Sequence, residues 1–154
     1  MATIFLETVL ETDIETAFDA ARSIDLHLES ASQTNERAIA GRTSGLIELG
    51  DRTRWRARHF GIYQELEIEI TAMDRPYYFV DEMVDGAFKS MKHTHTFTVV
   101  KPNQTRMTDR FEFTAPLGLL GRFAEWLFLE AYMTRFLKTR NEILANHFRV
   151  QQSA

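Results

Sequence analysis

From Asn35 to Thr114 the chain reads as an almost unbroken succession of strands, followed by a single long helical segment. The runs are Asn35–Ala40, Arg52–Phe60, Tyr63–Asp74, Tyr77–Asp85, Phe88–Val100 and Thr105–Thr114, and turn formers separate most of them: Gly50-Asp51, Gly61, Arg75-Pro76, Asp85-Gly86 and Lys101-Pro102-Asn103. A meander this long has to curl, and one of its faces has to be covered. Helices for that purpose lie at both ends. After a first strand over Thr3–Glu11, Asp13 reads as an N-cap for a helix carrying Ile14, Ala17, Phe18 and Ala21, and Ser23–Ser30 reads as a second short helix. Ala115-Pro116-Leu117-Gly118 stops the strands, and Leu119–Phe148 reads as one helix with Phe123, Trp126/Leu127, Met133, Leu137 and Leu144 at three–four spacing. The expected class is therefore α+β: a curved antiparallel sheet wrapped around a long C-terminal helix, with two short helices after the first strand.

The composition fits one domain over residues 1–150 with a disordered tail at 151–154. The chain has 154 residues, 44% hydrophobic and 26% charged, enough for a core of its own. It has no cysteine, which removes disulfides and thiolate chemistry and fits a reducing compartment. There is no basic, apolar leader at the N-terminus and no membrane-length apolar run, so the chain is read as cytoplasmic without a transmembrane segment. A formal net charge of −4 argues against a nucleic-acid partner. The unusual entry is aromatic: twelve Phe, four Tyr and two Trp, with six Met beside them, more ring than a core of this size needs.

Several segments carry a resemblance. Gly50-Asp51-Arg52-Thr53-Arg54-Trp55-Arg56-Ala57-Arg58-His59-Phe60-Gly61, Phe79 to Phe88, His93-Thr94-His95-Thr96-Phe97, Met107-Thr108-Asp109 and Pro116 to Gly121, together with the element order, resemble the START-like or SRPBCC helix-grip superfamily. That superfamily includes polyketide cyclases, lipid-transfer domains and the birch pollen allergens; within it the chain looks closest to a bacterial ligand-binding subgroup. The resemblance implies an apolar cavity between the sheet and the C-terminal helix.

Strand parity indicates which side chains would line such a cavity. In Arg52–His59 the four arginines share one face, and Trp55, Ala57 and His59 share the other. In the next strand Leu66 and Ile68 oppose Glu65, Glu67 and Glu69. With His59 opposite Gln64, Arg58 would meet Glu65, Arg56 would meet Glu67 and Arg54 would meet Glu69, a neutralised outer ladder rather than a phosphate-binding stripe. Met91, His93, His95 and Phe97 share an inner face, as do Met107, Asp109, Phe111 and Phe113. A Lys101-Pro102-Asn103 loop places His95 across from Asp109. The parity of Tyr77–Asp85 is open: either Phe79, Asp81 and Met83 point inward, or Tyr78, Val80 and Glu82 do.

The expected binding set is Trp55, His59, Leu66, Ile68, Met91, His93, His95, Phe97, Met107, Asp109, Phe111, Phe113, Phe123, Trp126 and Leu127. His95 and Asp109 admit three roles: a satisfied buried pair that fixes register, a polar anchor for a mostly apolar ligand, or a proton-handling pair in a cyclase or dehydratase. His93-Thr94-His95 sets two imidazoles on one face, with His59 as a conceivable third ligand, but that pattern is too weak to assign a metal, and no cofactor is called for. His27, on the second short helix, either rims the cavity mouth or sits in solvent, the latter slightly favoured, and His147 suits the end of its helix. Leu120, Ala124, Phe128, Ala131 and Tyr132 spread the apolar surface beyond one stripe. The short helices and the 116–121 loop, a second copy in a homodimer, or a hydrophobic entrance would each account for it. The leading function is binding of a small hydrophobic or amphipathic molecule. The alternatives are a cyclase-type enzyme and a regulatory or dimerisation module without ligand.

Overall fold

The computed structural model describes residues 1–31, 34–59, 61–115 and 128–153. In chain order its elements are β1 (Ala2–Leu10), α1 (Ile14–Ala21), α2 (Ile24–Ser30), β2 (Arg37–Gly41), β3 (Arg52–His59), β4 (Ile62–Asp74), β5 (Tyr78–Gly86), β6 (Ser90–Lys101), β7 (Gln104–Thr114) and α3 (Glu130–Ser153). The seven strands form one antiparallel sheet in the order β1-β7-β6-β5-β4-β3-β2, so the first strand returns to pair with the last. Leu137, Ala145 and Phe148 of α3 join Ile4, Phe18, Ile70 and Phe111 in a single core. This is the expected α+β helix-grip arrangement.

Local chemistry sets the element ends. Asp13 Oδ2 accepts the Thr16 N–H at 3.1 Å and starts α1, and Ser23 Oγ accepts the Leu26 N–H at 3.2 Å and starts α2. Arg22 between the two helices is buried; it pairs with Asp19 at 2.9 Å and donates to the Ile47 carbonyl at 3.2 Å. Gly41 ends β2 at φ 74, and a Cβ there would strike the Arg52 carbonyl oxygen. Dihedral and space both demand glycine, so Gly41→Ala is expected to destabilise by about 1–3 kcal/mol. A urea midpoint equal to that of the unsubstituted protein would contradict this.

The structure sets several details. The β3–β4 hairpin is tighter than supposed: His59 pairs with Ile62, so Arg56 lies opposite Glu65, Arg54 opposite Glu67 and Arg52 opposite Glu69. A shift of two residues keeps every side chain on its face, and the ladder survives one step along. Arg52 bonds Glu69 at 2.7 Å and Arg54 bonds Glu65 at 2.6 Å. Arg58 loses its expected glutamate and faces Tyr63, over whose ring the Arg56 guanidinium sits at 4.7 Å. On β5, Phe79 and Asp81 are the residues that face inward. At the C-terminus the helix runs to Ser153, so residues 151–153 are its last turn rather than a tail. Finally, the described part of α3 begins at Glu130, and Phe123, Trp126 and Leu127 lie outside the described residues. The pairing of His95 with Asp109 is as expected, with the register slip taken up between Val99 and Lys101.

Candidate functional site

Between the inner face of the sheet, the α1–α2 junction and α3 lies a cavity of about 300 Å³. β3 contributes Trp55, Ala57 and His59, β4 contributes Leu66, Ile68 and Ile70, and β6 contributes Met91, His93 and His95. Opposite them α3 presents Tyr132, Met133, Phe136, Leu137 and Arg140. Of the expected binding set, Trp55, His59, Leu66, Ile68, Met91, His93, His95 and Phe111 meet at this cavity. Phe97, Met107 and Phe113 do not line it. Phe97 packs against Phe18 and Phe79 at ring distances of 5.3 and 6.1 Å, and Phe113 is fully buried beside Phe88 and Phe111. Their parity is inward as expected, but Phe97 and Met107 lie at the end of the β6–β7 pair where Phe18 of α1 packs and Phe113 is enclosed beside Phe88 and Phe111, so inward means solid core rather than hollow wall.

At the end of the cavity wall sits a buried polar network. Asp109, 1% exposed, receives the His93 Nε2–H on Oδ1 at 2.8 Å and the Asn141 amide on Oδ2 at 2.8 Å. His95 Nδ1 lies 3.0 Å from the same Oδ1, within charge–charge range but off the line a hydrogen bond needs. Its Nε2 meets Asp81 Oδ2 at 3.0 Å. The His95 ring is sandwiched between Phe79 at 4.3 Å and His93 at 3.8 Å. Asp109 thus stands behind the wall, and the cavity itself sees Asp81, His93 and His95.

These contacts set the charges. Burial alone would push His95 down, but the carboxylates of Asp109 and Asp81 facing its two nitrogens override that and raise it to about 9. Burial, reinforced by the neighbouring charge of His95, pushes His93 below its usual value, against the pull of Asp109. Burial would raise Asp109, yet its bond to His93 and the close approach of His95 hold it well below the usual carboxylate range. Asp81 is lowered likewise: burial would raise it, but the His95 bond together with the charges of His93, His95 and Arg140 prevails. At neutral pH the wall therefore carries a charged His95 beside a neutral His93. With Nε2–H given to Asp109, His93 Nδ1 has no hydrogen-bond partner among the described residues.

A second polar group sits at the far rim. Of the two places open to His27 from the sequence, it takes the cavity rather than the favoured solvent position: it bonds Glu36 at 2.7 Å, stacks on Trp55 at 4.2 Å and lines the cavity. Against the cost of burial, attraction to His27 keeps Glu36 below the usual range. His59 Nδ1 bonds the Tyr132 hydroxyl, far enough from the His93–His95 pair that it is no third ligand with them. Among the described residues, His147 meets Gln151 and Phe148 on α3. Of the apolar spread on the long helix, Tyr132 lines the cavity while Phe128 is 64% exposed.

Sequence reasoning missed Tyr132, Phe136 and Arg140 as wall residues, although a signal existed. Arg140 stands three residues after Leu137 and four before Leu144, and Phe136 three after Met133, so each shares the inner stripe. Glu36 carried no such signal, because only folding brings it to His27.

No family model and no curated protein matches the chain. Solved structures do. The major latex-like protein 151 of Panax ginseng is 14% identical, with 96% of this chain and 97% of that one covered and a TM-score of 0.71. A START superfamily protein from Mycobacterium smegmatis is 10% identical, with 97% and 98% covered and a TM-score of 0.73. The Zhui aromatase/cyclase of Streptomyces sp. R1128 is 8% identical, with 96% and 93% covered and a TM-score of 0.76. At these identities the likeness is one of fold, and it gives the class: a START-like, helix-grip fold. Among the described residues, no helix is long and apolar enough to cross a membrane.

Proposed function

We propose that this protein binds a small hydrophobic or amphipathic molecule, such as a lipid, polyketide or other aromatic compound, in the cavity between the sheet and α3. The observation that carries this reading is the cavity itself: about 300 Å³ of space, within the range of small-ligand sites, walled mostly by rings and aliphatic chains. Polar groups cluster at two places on its wall, Asp81–His93–His95 and Glu36–His27, and Arg140 adds a guanidinium. A ligand with an apolar body and one or two oxygen atoms fits that distribution. The relatives in fold, among them a START protein and an aromatase/cyclase, are consistent with it.

One observation favours a second reading, a cyclase- or dehydratase-type enzyme. His95 and His93 are adjacent on the wall with their proton affinities pushed apart, the pattern that supplies an acid and a base at one pH. In that reading Asp109 positions both rings, and Asp109→Asn abolishes turnover while guest binding persists.

The binding reading is tested with a fluorescent apolar dye. It should bind saturably, one per chain, and Trp55→Ala should weaken it at least tenfold, about 1.4 kcal/mol, because the indole faces the cavity with little exposure. A dye that does not bind, or that binds the variant equally well, would sink the proposal.

A further inference from the structure

We propose that Asp81, His93 and His95 form a binding site for one divalent first-row metal ion that opens into the cavity. Each of the three offers a ligand atom, and these atoms lie within 4.8 Å of one another. His95 Nε2 and Asp81 Oδ2 are 3.0 Å apart, near the ~3.3 Å separating two ligands on a tetrahedral ion with bonds of about 2.0–2.1 Å. Two nitrogens and one carboxylate oxygen form the donor set common to zinc hydrolases and non-haem iron sites. The strand geometry supplies it: residues 93 and 95 project to the same face of β6, and Asp81 pairs with His93 across the β5–β6 ladder.

The outer layer fits as well. A metal-bound histidine typically gives its other ring N–H to a carboxylate. Here His93 gives Nε2–H to Asp109 at 2.8 Å and keeps Nδ1 unpartnered among the described residues. Asp109 is itself oriented by Asn141 at 2.8 Å. His95 Nδ1 is buried without a hydrogen bond, yet 3.0 Å from Asp109 Oδ1; a small turn of the ring would give it the same outer partner. Two carboxylates in one buried patch also call for positive charge; a divalent ion replaces the proton on His95 Nε2, which leaves to solvent as the ion binds, and balances both carboxylates. Three protein ligands leave at least one position open toward the cavity, where a ligand oxygen or a water would complete the shell. The site stands whether or not the cavity holds an apolar guest.

The test uses the untagged full chain, stripped with a chelator and titrated separately with cobalt(II) and zinc(II). One ion should bind per chain, with cobalt giving the visible absorption of a low-symmetry nitrogen–oxygen site. Asp81→Asn and His93→Ala should each weaken binding at least tenfold, and Asp109→Asn by 10–100-fold, whereas His147→Ala, on the outer part of α3, should leave it unchanged. Circular dichroism separates lost binding from lost fold, and the near-isosteric Asp81→Asn is the variant that decides if His93→Ala fails to fold. Absence of saturable binding by either ion would overturn the proposal, as would binding that Asp81→Asn leaves intact or that His147→Ala removes.

Discussion

Asp109→Ala should destabilise the protein by roughly 3–5 kcal/mol, the usual cost of removing one partner from a buried charged network. The side chain is 1% exposed and receives His93 on one oxygen and Asn141 on the other, with His95 3.0 Å from the first. Alanine strands two buried donors and leaves the His95 charge with Asp81 alone. For a chain of this length the loss corresponds to a fall of roughly 6–20 °C in Tm. Asp109→Asn keeps the shape and one acceptor oxygen, so its cost should be smaller. Urea unfolding of both variants at neutral pH decides the matter. A cost below about 1 kcal/mol for the alanine variant would show that the network contributes little to stability and would shift its meaning toward function alone.

The second large effect concerns the cavity. Ala57 lies on β3 between Trp55 and His59, is 6% exposed and points into the hollow. Ala57→Phe puts a benzyl group in place of a methyl on the cavity wall. We expect guest binding to weaken at least tenfold, about 1.4 kcal/mol, while thermal stability holds or rises slightly as the void fills. This pairing of outcomes distinguishes a working cavity from ordinary core. Were the site solid, the same substitution would overpack it and cost about 1–3 kcal/mol. Dye titration and a thermal melt on one preparation give both readings.

How much of this was legible in the sequence depended on whether a feature follows from local period or from tertiary closure. The element order, the inner faces of β3, β4 and β6 and the pairing of His95 with Asp109 follow from two-residue periodicity and short turns. The β3–β4 register did not, because either a two- or a four-residue turn satisfies the pattern, and the two registers differ by an even slip that leaves every face unchanged. Phe97, Met107 and Phe113 have the right parity yet lie in solid core, because parity cannot say where other elements close over the sheet. Asp81 remained ambiguous from its strand alone, since both faces of β5 carry apolar residues, and Phe79 and Val80 are both buried. Glu36 and His27 are brought together across a loop, which no periodicity reports. The aromatic excess divides the same way: Trp55, Phe79, Phe88, Phe111, Tyr132 and Phe136 border the hollow, and Phe18, Phe97 and Phe113 fill what lies beside it.

If the protein works as a binder, the hollow between the sheet and α3 holds a guest. Native mass spectrometry of freshly purified protein, followed by extraction into organic solvent, tests it most directly. A bound small apolar or amphipathic molecule should leave with the solvent and be lost or diminished in Ala57→Phe. Protein that emerges empty, and that also rejects a panel of apolar probes, would contradict it.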